Sequence, residues 1–117
     1  MSKQQDFGKY GEQLAATYLQ NLGYTIIFLN WRFKYWEVDI IAKEQDTLVF
    51  VEVKSRSKDE FGYPADFVDL KKQANLIKAA DAYIDWTGYE GEIRFDIVSV
   101  YLGQNKLELI KDAFWSN

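Results

Sequence analysis

The alternation of apolar and polar positions along the chain predicts five strands and two helices. Alternation with a period of two, or a short apolar run bounded by turn residues, indicates a strand, and apolar positions spaced three and four apart indicate a helix. In chain order these patterns predict a helix over 6–22, strands over 24–29, 37–41 and 49–54, a helix over 66–86, and strands over 92–102 and 106–110. The order αβββαββ is typical of an α/β fold in which helices pack on a mixed sheet.

The first predicted helix carries an acidic residue beside its apolar stripe. Asp6 is predicted as the N-cap and Gly23 as the residue that ends the helix. The apolar stripe comprises Phe7, Gly11, Leu14, Ala15, Tyr18 and Leu22. Glu12 lies roughly 90° from the centre of that stripe. It is therefore predicted at the rim, where it faces either water or the seam between the helix and the sheet.

Two neighbouring strands carry charge where a core strand normally has none. They contain Glu37 and Asp39 on the first strand, and Glu52 and Lys54 on the second. A loop of two residues and a loop of four residues between the strands give the same antiparallel register. That register places Asp39 opposite Glu52 and Glu37 opposite Lys54, with all four side chains on one face.

Both faces of this charged hairpin are predicted to be covered. The charged face also carries Ile41, Leu48 and Phe50, and the other face carries Val38, Ile40, Val49, Val51 and Val53. The alternative is a solvated face with ordinary ion pairs, as antiparallel sheets often have. Carboxylates opposed at roughly 5 Å are destabilising and need a shared proton or a cation. A hard divalent cation, which prefers oxygen ligands, meets that need.

Composition narrows the chemistry that is available. A length of 117 residues predicts one domain, and 48% hydrophobic with 17% aromatic residues argues against disorder. No apolar run approaches the ~20 residues of a membrane span, and no signal-peptide pattern is present, so a cytoplasmic location is expected. The chain has no cysteine and no histidine. Thiolate zinc sites and the commonest general base are therefore excluded, which leaves carboxylates, lysine, hydroxyls and metal-activated water.

The overall charge does not favour nucleic-acid binding, but basic residues are clustered in two places that could contact phosphate. The net charge is −4, whereas proteins that bind nucleic acid usually carry basic patches. Basic residues follow the second charged strand and recur in the second helix: Lys54, Arg56 and Lys58, then Lys71, Lys72 and Lys78. A bound divalent cation would add positive charge where the carboxylates are densest.

A series of short motifs resembles a known family. The motifs are Gly8-x-x-Gly11-Glu12, Gly23-Tyr24, Asn30-x-Arg32, Glu37-Val38-Asp39, Val51-Glu52-Val53-Lys54-x-Arg56 and Arg94-Phe95-Asp96, with Lys72, Ala80 and Tyr83. This order and spacing resembles the YraN-like family of small bacterial proteins in the PD-(D/E)xK nuclease superfamily, which is distantly similar to archaeal Holliday-junction resolvases. The resemblance covers the chain from Gly8 to Phe114. It implies a single nuclease-like domain over 1–117 with a restriction-endonuclease-like core.

The resemblance also implies a reaction and a set of site residues. The expected reaction is hydrolysis of phosphodiester bonds in nucleic acid, with DNA as the expected partner and Mg²⁺ or Mn²⁺ as cofactor. Asp39 and Glu52 are the implied metal ligands, joined by the carbonyl of Val53 and by Glu12. Lys54 is expected to orient the attacking water or to stabilise charge in the transition state.

Nucleic-acid contacts are predicted at Arg32, Trp36, Arg56 and Lys72. For Arg56 and Lys72 a solvated surface role is the alternative. Trp36 departs from the family pattern, which usually has glycine before Glu-x-Asp. The bulky pair Tyr35 and Trp36 is predicted at the mouth of the site, where three roles are open: stacking on a base, filling the core, or obstructing the groove.

Two other functions remain open from the sequence. One is a module of the same fold that binds nucleic acid without turnover, and the other is a structural protein whose strand charges form buried ion pairs. Glu37 is predicted to hold Lys54 rather than to bind the metal. A two-fold homodimer would suit an enzyme that cuts a junction, because a junction presents two related strands.

Overall fold

The computed structural model describes residues 3–56 and 70–115, with side chains from residue 9 onward in the first range. The elements are α1 (Lys3–Asn21), β1 (Thr25–Phe33), β2 (Trp36–Glu44), β3 (Thr47–Arg56), α2 (Leu70–Thr87), β4 (Ile93–Tyr101) and β5 (Lys106–Ile110). The predicted order and the α/β class are confirmed. Lys58 and the predicted start of the second helix at 66–69 lie outside the described residues.

The five strands form one mixed sheet in the order β1-β2-β3-β4-β5. β3 and β4 are parallel and the other neighbours are antiparallel. A parallel pair needs a crossover connection, and the segment that contains α2 supplies it. The β2–β3 hairpin turns through two residues, with Gln45 in the left-handed region at φ 53°. Of the two predicted loops, the shorter one forms.

The two helices cover opposite faces of the sheet. The cluster under α1 is built from Ala15, Ala16 and Leu19 with Ile40, Ala42, Val49, Val51, Val98 and Val100. The cluster under α2 is built from Leu76, Ala79, Ala80 and Tyr83 with Val38, Ile41, Leu48, Phe50, Phe95 and Ile97. The prediction that both faces of the charged hairpin are covered is therefore confirmed.

The first helix ends as predicted but begins earlier. Residues before Asp6 are already helical, so its prediction as the N-cap is wrong. At the other end Gly23 adopts a left-handed φ of 100°, and the N–H of Tyr24 donates to the carbonyl of Leu19 at 3.0 Å. This pattern is a Schellman cap. Leu22 follows the last helical turn and is 49% exposed, so its place in the predicted apolar stripe is wrong.

β1 also differs from its predicted extent, because it continues from the predicted end at residue 29 to Phe33. The polar residues Asn30 and Arg32 hide this continuation in the sequence pattern. The longer strand forms a second hairpin with β2, closed by the pair Phe33 and Trp36. Tyr35 therefore lies in the turn of that hairpin.

A buried ion-pair network ties β4 to the end of α1 and to β2. Asp96 is fully buried and accepts hydrogen bonds from Arg94 Nε at 2.8 Å, Arg94 Nη2 at 2.9 Å, the Tyr24 hydroxyl at 2.9 Å and the Asp112 N–H at 3.0 Å. Arg94 Nη2 also donates to Glu44 at 2.9 Å. Charge-assisted bonds of this kind are about twice as strong as neutral ones. The motifs that contain Tyr24 and Asp96 are thus explained by a structural role.

Neither helix has the character of a membrane span. Within the described residues, α1 and α2 lack the combination of length and apolar content that crossing a membrane requires. Lysine recurs along α2 at positions 71, 72 and 78, as the sequence pattern indicates. The expected cytoplasmic location stays a prediction.

Candidate metal centre

The ladder between β2 and β3 ends at the candidate site. Its backbone pairing runs from the turn as far as Ile40 opposite Val51, in the register predicted from the sequence. Asp39 then departs from that ladder and does not pair with Glu52 through the backbone. Its Oδ2 instead accepts a hydrogen bond from the N–H of Val53 at 2.8 Å. A side chain therefore takes the place of a ladder partner where the two strands separate.

Near Asp39, the alternation of side chains between the two faces of the sheet is also interrupted along β2. Val38 and Ile41 both pack under α2 although they are three residues apart, so the alternation is interrupted between them. On β1, Asn30 adopts a left-handed φ of 55°, which asparagine tolerates better than most residues. Neither Asn30 nor Asp39 takes part in the β1–β2 ladder. The prediction that Val38 shares a face with Ile40 is wrong because of this kink.

α1 brings a third carboxylate to the break. The helix approaches β3 closely at Gly11, where an added Cβ would lie 2.5 Å from Ser55 Oγ. Glu12 therefore follows the seam between helix and sheet, which is one of its two predicted positions. Carboxylate oxygens of Glu12, Glu37 and Asp39 lie within 4.8 Å of one another. Residues distant in the sequence thus form one acidic cluster.

Glu52 completes the acidic surroundings from β3. Its carboxyl group is close enough to that of Asp39 for each to change the pKa of the other, and its Oε1 lies 4.0 Å from Lys72 Nζ. Lys54, two residues further along β3, is near enough for its charge to lower the pKa of Glu52. A cavity of about 180 Å³ opens here, lined by Tyr35, Glu37, Asp39, Glu52, Lys72, Asn75 and Leu76. Tyr35 is 95% exposed at its mouth.

Burial is the main cause of raised pKa values in the cluster. It raises the pKa of Asp39 well above the ordinary value, and the charge of Glu52 raises it further. It also raises the pKa of Glu52, against the opposing charge of Lys72. The pKa of Glu12 is raised by burial, although a hydrogen bond with Asn30 lowers it. The metal-free cluster therefore holds protons at a pH where isolated carboxyls would be ionised.

The donor set fits a hard divalent cation. Every group in the cluster offers oxygen, which Mg²⁺ and Mn²⁺ prefer. Ligand oxygens on opposite sides of Mg²⁺ are about 4 Å apart, and the oxygens of Glu12, Glu37 and Asp39 already lie within 4.8 Å of one another. A cation would also replace the protons that the cluster holds in its absence.

Glu37 does not have the role predicted for it. Its Oε2 accepts a hydrogen bond from Arg32 Nη2 at 3.0 Å, and its carboxylate joins Glu12 and Asp39. The prediction that Glu37 holds Lys54 is wrong, because the two strands separate before they reach these residues. Arg32 itself is 73% exposed, so its guanidinium remains accessible to solvent beside the cluster.

Trp36 is partly buried, and Arg56 is almost fully buried. Trp36 is partly buried against the cluster under α2, with its ring 6.1 Å from that of Phe33. It is not among the residues that line the acidic cavity. Arg56 is 1% exposed, so the alternative prediction that it is a solvated surface residue is wrong. A phosphate contact by Arg56 would require its surroundings to move.

The sequence comparison places these residues within a family. A family model described as uncharacterised protein family UPF0102 matches residues 11–100. The chain belongs to this family. The resemblance to the YraN-like family is thereby confirmed. The matched region includes Glu12, Asp39, Glu52 and Lys54, but family membership by itself assigns no reaction to them.

Several UPF0102 proteins are similar to this chain over nearly their full length. One from Chlorobium chlorochromatii is 45% identical and covers 94% of this chain and 92% of its own. One from Flavobacterium psychrophilum is 44% identical with 98% of both chains covered. One from Clostridioides difficile is 44% identical over 92% of this chain and 95% of its own. The chain and these relatives therefore correspond in length.

In the UPF0102 site, Glu37 was predicted on the charged face but assigned to Lys54, and Asn30 was missed. Glu37 belongs to the cluster, and Asn30 supports Glu12 through a side-chain hydrogen bond. A signal for Asn30 was present, because asparagine between two apolar stretches often adopts the left-handed conformation. Glu37 was placed beside Asp39 by strand alternation, but its approach to Glu12 depends on the packing of α1 and has no local signal.

As pH rises, the free energy of unfolding of the metal-free wild type is expected to fall relative to that of the Asp39→Asn variant. Folding raises the pKa of Asp39, Glu52 and Glu12, so the folded state binds more protons than the unfolded chain. That contribution is complete below about pH 4, the unfolded pKa, and is lost as pH rises through the folded pKa values. A tenfold difference in proton affinity is worth about 1.4 kcal/mol, or roughly 5 °C in Tm.

Thermal unfolding in EDTA between pH 5 and pH 8 measures this effect. The Tm of the wild type should fall relative to that of Asp39→Asn, which cannot ionise at this position. Exposed Asp46 offers a matched control, since Asp46→Asn should leave the pH dependence of the wild type unchanged. A constant difference between the wild type and Asp39→Asn would contradict the prediction.

Proposed function

We propose that this chain hydrolyses phosphodiester bonds in nucleic acid with the help of Mg²⁺ or Mn²⁺. The observation that carries the proposal is the cluster of carboxylates from α1 and β2 where the β2–β3 ladder ends, with Glu52 of β3 lining the same cavity. Lysines from β3 and α2 lie beside them. Acidic groups that bind a cation next to basic groups that bind phosphate are the parts this reaction needs.

The residues divide into ligands and supports. Asp39 and Glu52, with Glu12 and the carbonyl of Val53, would hold the cation, and Glu37 stands close enough to contribute. The bound cation would lower the pKa of a water molecule and neutralise charge on the phosphoryl group. The Val53 N–H fixes one oxygen of Asp39 at 2.8 Å, which leaves the other oxygen for the cation.

Two lysines are suited to contact the scissile phosphate. Lys54 follows Glu52 by one strand repeat, so both side chains extend to the same side of β3. Lys72 is 50% exposed, and its Nζ lies 4.0 Å from Glu52 Oε1. When Glu52 turns toward a cation, the ammonium group of Lys72 would be close enough to contact a phosphate. The absence of histidine is compatible with this arrangement, because no imidazole base is needed.

The hairpin between β1 and β2 is the proposed approach for the nucleic acid. Tyr35 is 95% exposed beside the acidic cavity, and Arg32 is 73% exposed on the same hairpin. A base stacked on an aromatic ring gains about 1–3 kcal/mol, and exposed arginine can contact the backbone phosphates. Tyr35, rather than Trp36, is therefore the proposed stacking residue.

A cleavage screen tests the proposal. Branched, single-stranded and duplex substrates are incubated with Mg²⁺ or Mn²⁺, with EDTA, and with Lys54→Ala in place of the wild type. Cleavage by the wild type should require the cation and should fall at least roughly a hundredfold in Lys54→Ala, the scale expected when a group that stabilises transition-state charge is lost. Equal cleavage by both proteins would identify a contaminating nuclease.

Binding measurements separate the proposal from its alternatives. A nucleic-acid-binding module without turnover predicts affinity that falls steeply with salt but no cleavage of any substrate. A structural protein predicts no nucleic-acid binding at any salt concentration. Isothermal titration with Mn²⁺ adds a direct test, since absence of metal binding would contradict the proposed centre.

A further inference from the structure

A connected set of aromatic rings from β1, β2 and α2 lies on the face of the sheet that α2 covers. This aromatic face consists of Phe28, Trp31, Phe33, Trp36 and Trp86. Its ring centroids are 6.1 to 6.4 Å apart from one neighbour to the next. Trp86 is 65% exposed and Phe33 is 41% exposed. Contiguous exposed apolar surface on a small protein usually marks an interaction site.

A groove of about 580 Å³ borders the aromatic face. It is lined by Phe33, Trp36, Lys78, Asp81, Ala82, Asp85 and Trp86, and it shares no lining residue with the acidic cavity. The charged residues of the groove all come from α2, and two of the three are acidic. Because Asp81 and Asp85 would repel phosphate, the chemistry of the groove disfavours nucleic acid and favours a protein partner.

We infer that the aromatic face and this groove bind a second copy of the chain around a two-fold axis. Lys78, Asp81, Ala82 and Asp85 follow one another at helical spacing along one side of α2. Two α2 helices that meet antiparallel, with the axis between positions 81 and 82, place Lys78 of each copy opposite Asp85 of the other. The surface is thus complementary to itself, as a two-fold interface requires.

The edge of β1 explains why side chains, rather than backbone, form this contact. β1 is the outermost strand, so one of its backbone edges has no neighbour in the described sheet. Its register shifts between Ile26 and Phe28, and Asn30 is left-handed. Irregular backbone of this kind prevents a continuous ladder with another strand. The rings of Phe28, Phe33 and Trp86 are then the groups that remain to be covered.

Charge reversal tests the inference on the full-length chain. Sedimentation velocity should give a concentration-dependent dimer for the wild type. Lys78→Glu and Asp85→Lys should each weaken dimerisation at least roughly tenfold, because each change opposes like charges twice across the axis. The double variant Lys78→Glu/Asp85→Lys should restore it. Trp86→Ser should weaken the dimer without rescue by either charge change.

Controls distinguish this interface from a general loss of structure. Lys106→Glu makes the same charge change on β5, at the opposite edge of the sheet, and should leave the dimer unchanged. Circular dichroism identifies any variant that fails to fold. Recovery of dimerisation in the double variant would show that the single changes act through the paired charges and not through loss of structure. A wild type that stays monomeric up to roughly 1 mM, or a double variant without rescue, would overturn the inference.

Discussion

Replacing Asp39 by asparagine is expected to abolish cation-dependent cleavage and to leave the metal-free protein at least as stable as the wild type. In the wild type, the Val53 N–H donates a hydrogen bond to Asp39 Oδ2 at 2.8 Å. Asparagine retains an oxygen that can accept this bond, but it carries no charge. Burial of the charge and repulsion by Glu52, which together raise the pKa of Asp39, are both relieved by this change. The proposed centre at the same time loses its central anionic ligand.

The two effects are measured separately. Cleavage should fall at least roughly a thousandfold, which corresponds to about 4 kcal/mol of transition-state stabilisation. The Tm in EDTA should hold or rise. Cation at 100 times its Kd should stabilise the wild type by about 2.7 kcal/mol, and most of this gain should be absent in Asp39→Asn.

The conservative change matters for this experiment. Asp39→Ala would also remove the acceptor for Val53, so a fall in its stability would have two explanations. Asp46→Asn makes the same chemical change at an exposed turn and should affect neither property. If Asp39→Asn lowers the Tm in EDTA substantially, the carboxylate is stabilising the fold, and the metal-centre interpretation is contradicted.

Replacing Asp96 by alanine is expected to destabilise the protein by about 3 to 5 kcal/mol, the range for breaking a buried ion pair. Asp96 is fully buried and accepts bonds from Arg94, Tyr24 and the backbone of Asp112. Its removal leaves these donors without their shared acceptor. The partly buried guanidinium of Arg94 then retains Glu44 and the Tyr24 hydroxyl as partners in the network. In Tm the loss is roughly 15 °C or more.

Graded variants test the network against a simple packing defect. Tyr24→Phe removes one donor and should cost about 1 to 2 kcal/mol, clearly less than Asp96→Ala. The double variant should cost less than the sum, because both changes remove the same hydrogen bond. Glu90→Ala, at an exposed position between α2 and β4, is the control in urea unfolding. Equal stability of Asp96→Ala and Glu90→Ala would contradict the structural role.

The elements of the fold were predictable because their signals are local. The turn after Glu44 and the apolar run Val49, Phe50 and Val51 specified the hairpin and its register, and β5 begins and ends where the pattern indicates. The predictions that failed concern residues whose burial depends on packing between elements far apart in the sequence. Leu22 continues the helical pattern but lies beyond the end of α1, and Arg56 resembles a surface residue but is buried.

The candidate site was only partly predictable for the same reason. Asp39 and Glu52 lie on adjacent strands, so the register brought them together. Glu12 reaches them only because α1 packs closely on β3 at Gly11, and periodicity could place it no nearer than the rim of its helix. Family resemblance, rather than spacing, joined it to the site.

The sequence by itself determined the order of elements, the hairpin register as far as Ile40 and the two faces buried around the charged strands. It did so because apolar periodicity and turn chemistry are properties of neighbouring residues. The tertiary structure decided that Asp39 leaves the ladder to accept the Val53 N–H, that Glu37 joins Glu12, and that aromatic rings from β1, β2 and α2 form one connected, partly exposed face. Each of these depends on packing between elements far apart in the chain, which no local pattern records.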